Sequence, residues 1–175
     1  MTRTCASGPC DFKGIIPMEK NTLKDLKKLK ILKIEGIKIS QENIDEIATL
    51  DNLESLSFDY SYLDDSLNYK PINNLQKLTK LEILSSNFQD SDYELYYPKD
   101  IPKDLVTNKG IKELTLPSWE DPSLIDPKYF PNLETLTFES DNIDLNILGK
   151  FDKLTNLTIG SPNGDLSKLK NLKSL

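Results

Sequence analysis

The chain has 175 residues, a net charge of −6, 37% hydrophobic and 29% charged residues, the composition of a folded domain with room for one sizeable core. It holds no run of eighteen apolar residues, which excludes a membrane-spanning helix. Histidine is absent and 21 of the 22 basic residues are lysine, which removes the commonest general base and transition-metal ligand and argues against a nucleic-acid surface, since that needs a basic stripe.

Residues 1–22 read as an N-terminal segment or cap. "MTRTCASGPCDFKG" lacks the apolar centre of a signal peptide. That favours a cytoplasmic location, or a secreted or cell-surface one if the natural start lies upstream. Cys5 and Cys10 are compatible with two free thiols, a disulfide or half of a metal site; without histidine or further cysteine they cannot complete a structural zinc site. Phe12, Ile15 and Ile16 are suited to covering the first element of a core.

From residue 23 onward one pattern recurs. Leu23, Leu26, Leu29 and Leu32 step by three, then Ile34 follows by two. Ile44, Ile47, Leu50, Leu53 and Leu56 do the same before Phe58, and Ile72, Leu75, Leu78 and Leu81 before Ile83. The pattern returns at Ile111, Leu114 and Leu116, at Leu133, Leu136 and Phe138, and at Leu145, Leu148, Phe151, Leu154, Leu157 and Ile159. A seventh copy starts with Leu166, Leu169, Leu172 and Leu175. From Leu29 through Leu53, Leu78, Ile111, Leu133 and Leu154 to Leu172 the steps are 24, 25, 33, 22, 21 and 18 residues. Two-residue spacing sends alternate side chains of a strand to one face. Three-residue spacing suits 3₁₀ turns, whose side chains eclipse three apart. Strands are predicted near 31–35, 55–59, 80–84, 113–117, 135–139 and 156–160, all parallel.

Over residues 23–175 this resembles the leucine-rich repeat family, with its L-x-x-L-x-L core, and within it the short-repeat subclass of phosphatase regulators and bacterial internalins. The resemblance implies an α/β fold: a curved right-handed solenoid of about six repeats and a partial seventh. Its parallel sheet lies on the concave face, with 3₁₀ turns, short helices or turns on the convex face. The family's ladder position, usually asparagine, is here Ile37, Ser61, Ser86, Trp119, Asp141 and Pro162, which implies irregular turns.

The 33-residue step carries an insertion near 87–109, rich in aspartate, tyrosine and proline. Tyr93, Tyr96 and Tyr97 among its carboxylates make it either a solvated excursion or a contact loop, tyrosine being favoured at binding hot spots. Outward strand positions place Asp59, Glu82, Glu113 and Glu139 on the concave side, with Tyr60 and Trp119 as its aromatics. That surface is either an ordinary solvated sheet or one suited to protein recognition. The lysine- and asparagine-rich convex turns read as solubility features. No Gly-rich phosphate loop, nucleophile motif or metal-binding spacing occurs, so no catalytic residue, cofactor or metal is expected.

The resemblance implies a non-enzymatic protein-interaction module, part of a longer repeat protein, whose partner has a basic or mixed surface. The alternatives are an adhesion module or the substrate-recognition arm of an enzyme.

Overall fold

The computed structural model describes residues 16–59, 61, 63, 66–84, 88–89, 95–96, 108–116, 125–138, 145–160 and 165–175. The described strands are β1 (Ile16–Pro17), β2 (Ile31–Glu35), β3 (Ile37–Lys38), β4 (Ser55–Asp59), β5 (Lys80–Ile83), β6 (Phe88–Gln89), β7 (Leu95–Tyr96), β8 (Glu113–Leu116), β9 (Thr135–Phe138) and β10 (Asn156–Ile159); β2, β4, β5, β8, β9 and β10 form where the leucine spacing tightens to two. Among the described residues six of them make one sheet in the order β10-β9-β8-β5-β4-β2, every neighbouring pair parallel. The sheet carries the six strands that the repeat spacing predicts.

The register stacks equivalent residues. Leu32, Leu56, Leu81, Leu114, Leu136 and Leu157 form one inward row. Phe58 lies between Ile34 and Ile83 in the next row, and Phe138 between Leu116 and Ile159. Nearly all of these side chains are buried. No coil could bury them alone; each closes its neighbour.

The three-step segments between strands take several forms. Gln41–Ile47 is an α-helix, α1, and Leu145–Leu148 a single turn, α2. Lys70–Asn74 and Leu166–Lys168 are 3₁₀. The α1 helix is one of the short helices expected between strands, and its start is capped on both sides: Ser40 accepts from the Asn43 backbone N–H, and the Asn43 side chain accepts from the Ser40 N–H. Leu26, counted in the first repeat's apolar row, is exposed.

At the N-terminal end, β1 pairs in parallel with β3, and Leu23 is buried against the first coil. The Glu46 carboxylate, on the last turn of α1, accepts the backbone N–H groups of Asn21 and Leu23 and so ties this segment down. Phe12, Ile15 and both cysteines lie outside the described residues.

The connections are stitched by backbone ladders. The residue before each strand of the sheet is in turn Lys30, Glu54, Thr79, Lys112, Glu134 and Thr155, and Lys173 precedes the isolated bridge of Ser174 to Asn156. The carbonyl of each of the first six accepts two N–H groups from the next coil. The side chains in this row also meet: Lys30 reaches Glu54 at 2.8 Å and Lys112 reaches Glu134 at 3.0 Å. The asparagines of the convex turns belong to the framework rather than only to solubility. Asn52, Asn132 and Asn171 each donate Nδ2 to a carbonyl of the preceding coil, of Lys27, Lys109 and Asp152. The lysines of the following coils, Lys77 and Lys153, donate to Oδ1 of Asn52 and Asn132 at 2.6 Å.

The chain returns from the insertion through Asn108, which is buried, donates to the Leu75 carbonyl and accepts the Gly110 N–H. Gly110 is packed so closely that a Cβ there would lie 2.9 Å from the Leu78 carbonyl oxygen.

Candidate recognition face

Side chains that alternate with the core rows cover the other face of the sheet. One row runs Ile31, Ser55, Lys80, Glu113, Thr135, Asn156. A second runs Lys33, Ser57, Glu82, Thr115, Thr137, Thr158. Glu35 and Asp59 start a third. Strand spacing of about 4.8 Å makes this a surface roughly 24 Å long, with no side chain as large as an aromatic in its two complete rows.

Charge is divided unevenly along it. Strands β2, β4 and β5 and the first residue of β8 carry Lys33, Lys80, Glu35, Asp59, Glu82 and Glu113, two cations against four carboxylates, net −2. Beyond Glu113 these rows carry only Thr115, Thr135, Thr137, Asn156 and Thr158. Asn156 Nδ2 donates to Thr135 Oγ1 at 3.2 Å, so part of the uncharged half satisfies itself.

In the charged half the lysines bridge carboxylates. Lys33 Nζ lies 2.7 Å from Asp59 and 3.8 Å from Glu35. Lys80 Nζ lies 2.9 Å from Glu82 and 3.9 Å from Glu113. The hydrogen bond to Asp59 raises the Lys33 pKa above its ordinary value, and the hydrogen bond to Glu82 does the same for Lys80 against a smaller opposing effect of burial.

Among the candidate contact residues, Asp59, Glu82 and Glu113 do come together on this face. They differ in access. Glu113 is exposed and Glu82 half-buried, whereas the Asp59 side chain is only 10% exposed beneath Lys33. Asp59 thus holds a lysine rather than standing open, because β4 has a neighbour on each side and Lys33 folds over it. Tyr96 belongs to β7, which pairs antiparallel with β6 through Phe88. Tyr60, Tyr93, Tyr97, Trp119 and Glu139 lie outside the described residues.

Two buried polar groups lie near this face: Ser61, expected at the ladder position, and Ser57, which was not singled out from the sequence. Ser57, flanked by Lys33 and Glu82, is buried, and its hydroxyl has no hydrogen-bond partner. Ser61, at the ladder position, donates to the carbonyl oxygens of Ile34 (3.1 Å) and Asp59 (3.2 Å), so serine does the work expected of asparagine there. The other ladder residues after it, Ser86, Trp119, Asp141 and Pro162, lie outside the described residues. The signal for Ser57 was available: it shares a register row with two long charged side chains. Among the described residues, no group of three or more His, Cys, Asp or Glu side chains could hold a metal ion.

The leucine-rich repeat region family matches residues 10–174. The chain belongs to the leucine-rich repeat family. A comparison with curated proteins finds no significant match. Among solved structures, the crystal structure of an internalin from Listeria monocytogenes is similar at 21% identity and a TM-score of 0.47, over 87% of this chain. The chain spans 55% of that internalin chain's length. The parallel sheet and repeated coils are those of a leucine-rich repeat solenoid.

Proposed function

We propose that this leucine-rich repeat chain is a non-enzymatic protein-binding module whose partner docks on the outer face of the six-stranded sheet. The observation that carries this reading is the face itself. It presents two complete rows of polar side chains, Ile31 excepted, with mobile-charge chemistry gathered on one half and hydroxyl and amide groups on the other. Continuous polar surfaces of this extent suit protein recognition, and the family supplies interaction surfaces. The net −2 of the charged half favours a partner with a basic or mixed surface over a nucleic acid, whose phosphates it would repel. Of the three candidate carboxylates on this face Glu113 is the most open, and Glu82 is half-buried against Lys80. Tyr60 and Trp119 follow two of these strands in sequence, and Tyr93, Tyr96 and Tyr97 of the insertion are further aromatic candidates.

The test is affinity capture of a partner with the full chain, followed by binding kinetics on variants. Glu82→Lys and Glu113→Lys should slow association and reduce its salt dependence. Tyr60→Ala and Trp119→Ala should speed dissociation, weakening binding by about 1–3 kcal/mol. Wild-type binding by all four, with loss of binding on substituting convex Lys24 and Lys28, would overturn the assignment.

A further inference from the structure

The charged half of the sheet face contains two triads, each a lysine between two carboxylates, with the closer partner on the next strand in one and on the lysine's own strand in the other. Lys33 on β2 bridges Glu35 of its own strand and Asp59 of the next strand; Lys80 on β5 bridges Glu82 of its own strand and Glu113 of the next. The two triads are two strands apart, about 10 Å at the usual strand spacing. Ser57 lies between them, flanked in register by Lys33 and Glu82. It is only 4% exposed, yet its hydroxyl has no partner. A buried hydroxyl in that state is unfavourable, and what shares its row on either side is a long, charged side chain able to swing away.

We infer that the charged half is a latched receptor for a pair of arginines on the partner, with Lys33 and Lys80 as internal place-holders that the incoming guanidinium groups displace. This deepens the proposed function and rests on its assignment of the binding face.

The distances explain why a guanidinium would win. In each triad the ammonium holds one carboxylate closely, at 2.7 or 2.9 Å, and the other loosely, at 3.8 or 3.9 Å. An ammonium is a compact point charge, whereas a guanidinium presents five donors in a planar fork and can serve two carboxylates at once. Lys33 is more than half exposed and Lys80 more than a third, so each ion pair is screened and easily given up. When Lys33, the lysine in its row, swings out, the Ser57 hydroxyl is opened to the partner and gains a hydrogen bond that it lacks in the latched state. The uncharged half offers no such exchange, so it supports the complex without selecting for cations.

The experiment uses the full chain and a fluorescein-labelled, proline-rich peptide with two arginines three residues apart, which a polyproline II helix places on one face about 9 Å apart, in low salt. The lysine version of the peptide is the comparison. The arginine peptide should bind more tightly than the lysine one. Lys33→Ala and Lys80→Ala should each tighten its binding about two- to fivefold, the range of a screened ion pair. Lys170→Ala makes the same change in net charge at an exposed position in the last coil and should leave the affinity nearly unchanged. In spectra of the lysine ammonium groups, the Lys33 and Lys80 signals should shift on peptide addition and the Lys170 signal should not. Equal tightening by all three substitutions, weaker binding by the Lys33 and Lys80 variants, or no binding of the arginine peptide would each overturn the latch. A natural partner still mapping to the sheet face would then leave the proposed function standing, whereas a partner mapping to the convex turns would remove the face from both.

Discussion

The two halves of the sheet face share one scaffold and differ in almost everything laid on it. Beneath both runs the same inward row, Leu56 and Leu81 under the charged half, Leu136 and Leu157 under the uncharged half, all essentially buried. Above it, strands β2, β4 and β5 hold interlocked ions, and β9 and β10 hold threonine and asparagine. The stack therefore separates stability from recognition: inward rows are constrained by the coils on either side, while outward rows are free to vary from strand to strand.

The largest effects should be equal in the two halves. Leu56→Ala and Leu136→Ala each remove a fully buried side chain, and each should cost about 2–5 kcal/mol in a urea titration. Leu157→Ala should fall in the same range, since Leu157 is also buried. A loss below about 1 kcal/mol at any of them would contradict the inward register. Gly110→Ala, which forces a Cβ against the Leu78 carbonyl, should cost about 1–3 kcal/mol, as overpacking does.

Side-chain bonds between coils come next. Asn132→Ala leaves the Lys109 carbonyl without its donor and Lys153 without its acceptor. Ser61→Ala removes the donor that Ile34 and Asp59 carbonyls share. Each should lower stability by about 1 kcal/mol, measured by the midpoint of thermal or urea unfolding. No change in either would reduce these contacts to ornaments of the surface.

The smallest effect separates the halves. The folded pKa of Lys80 is raised, chiefly by its hydrogen bond to Glu82. Its contribution is therefore fully present below the ordinary lysine value of 10.5 and is lost as pH rises through the higher folded value. Lys80→Met should flatten the alkaline fall of the melting temperature, and Thr158→Val, in the uncharged half, should leave it unchanged. Identical alkaline profiles for Lys80→Met and wild type would remove this distinction.

Much of this fold could be read from leucine spacing because the periodicity changes where the backbone changes. The step from three to two at Leu56–Phe58 and Leu157–Ile159 marks strands whose observed limits differ by at most one residue from the predicted ones. Most of what escaped lay where the apolar period carries no information. The place of the α1 helix was hidden because its start is signalled by a Ser40–Asn43 capping pair rather than by leucines. Tyr69, fully buried, adds one more three-residue step before Ile72, and was passed over because the row was counted from aliphatic residues. Asn52, Asn132 and Asn171 looked like solvated turn residues; their role depends on the carbonyl of another coil some twenty residues away, which spacing within one coil cannot reveal. For the recognition face, alternation identified which side chains point outward, and Asp59, Glu82 and Glu113 share that face. Alternation could not show that Asp59 is covered by Lys33, because that depends on where a flexible lysine folds.

Carboxyl footprinting tests the assignment of the face most directly. With the captured partner bound, carbodiimide labelling should fall at Glu35, Glu82 and Glu113 and stay unchanged at Asp25, Asp51 and Asp152, which are exposed on the turns between strands. Protection of the turn carboxylates with undiminished labelling of the three on the sheet would contradict the account.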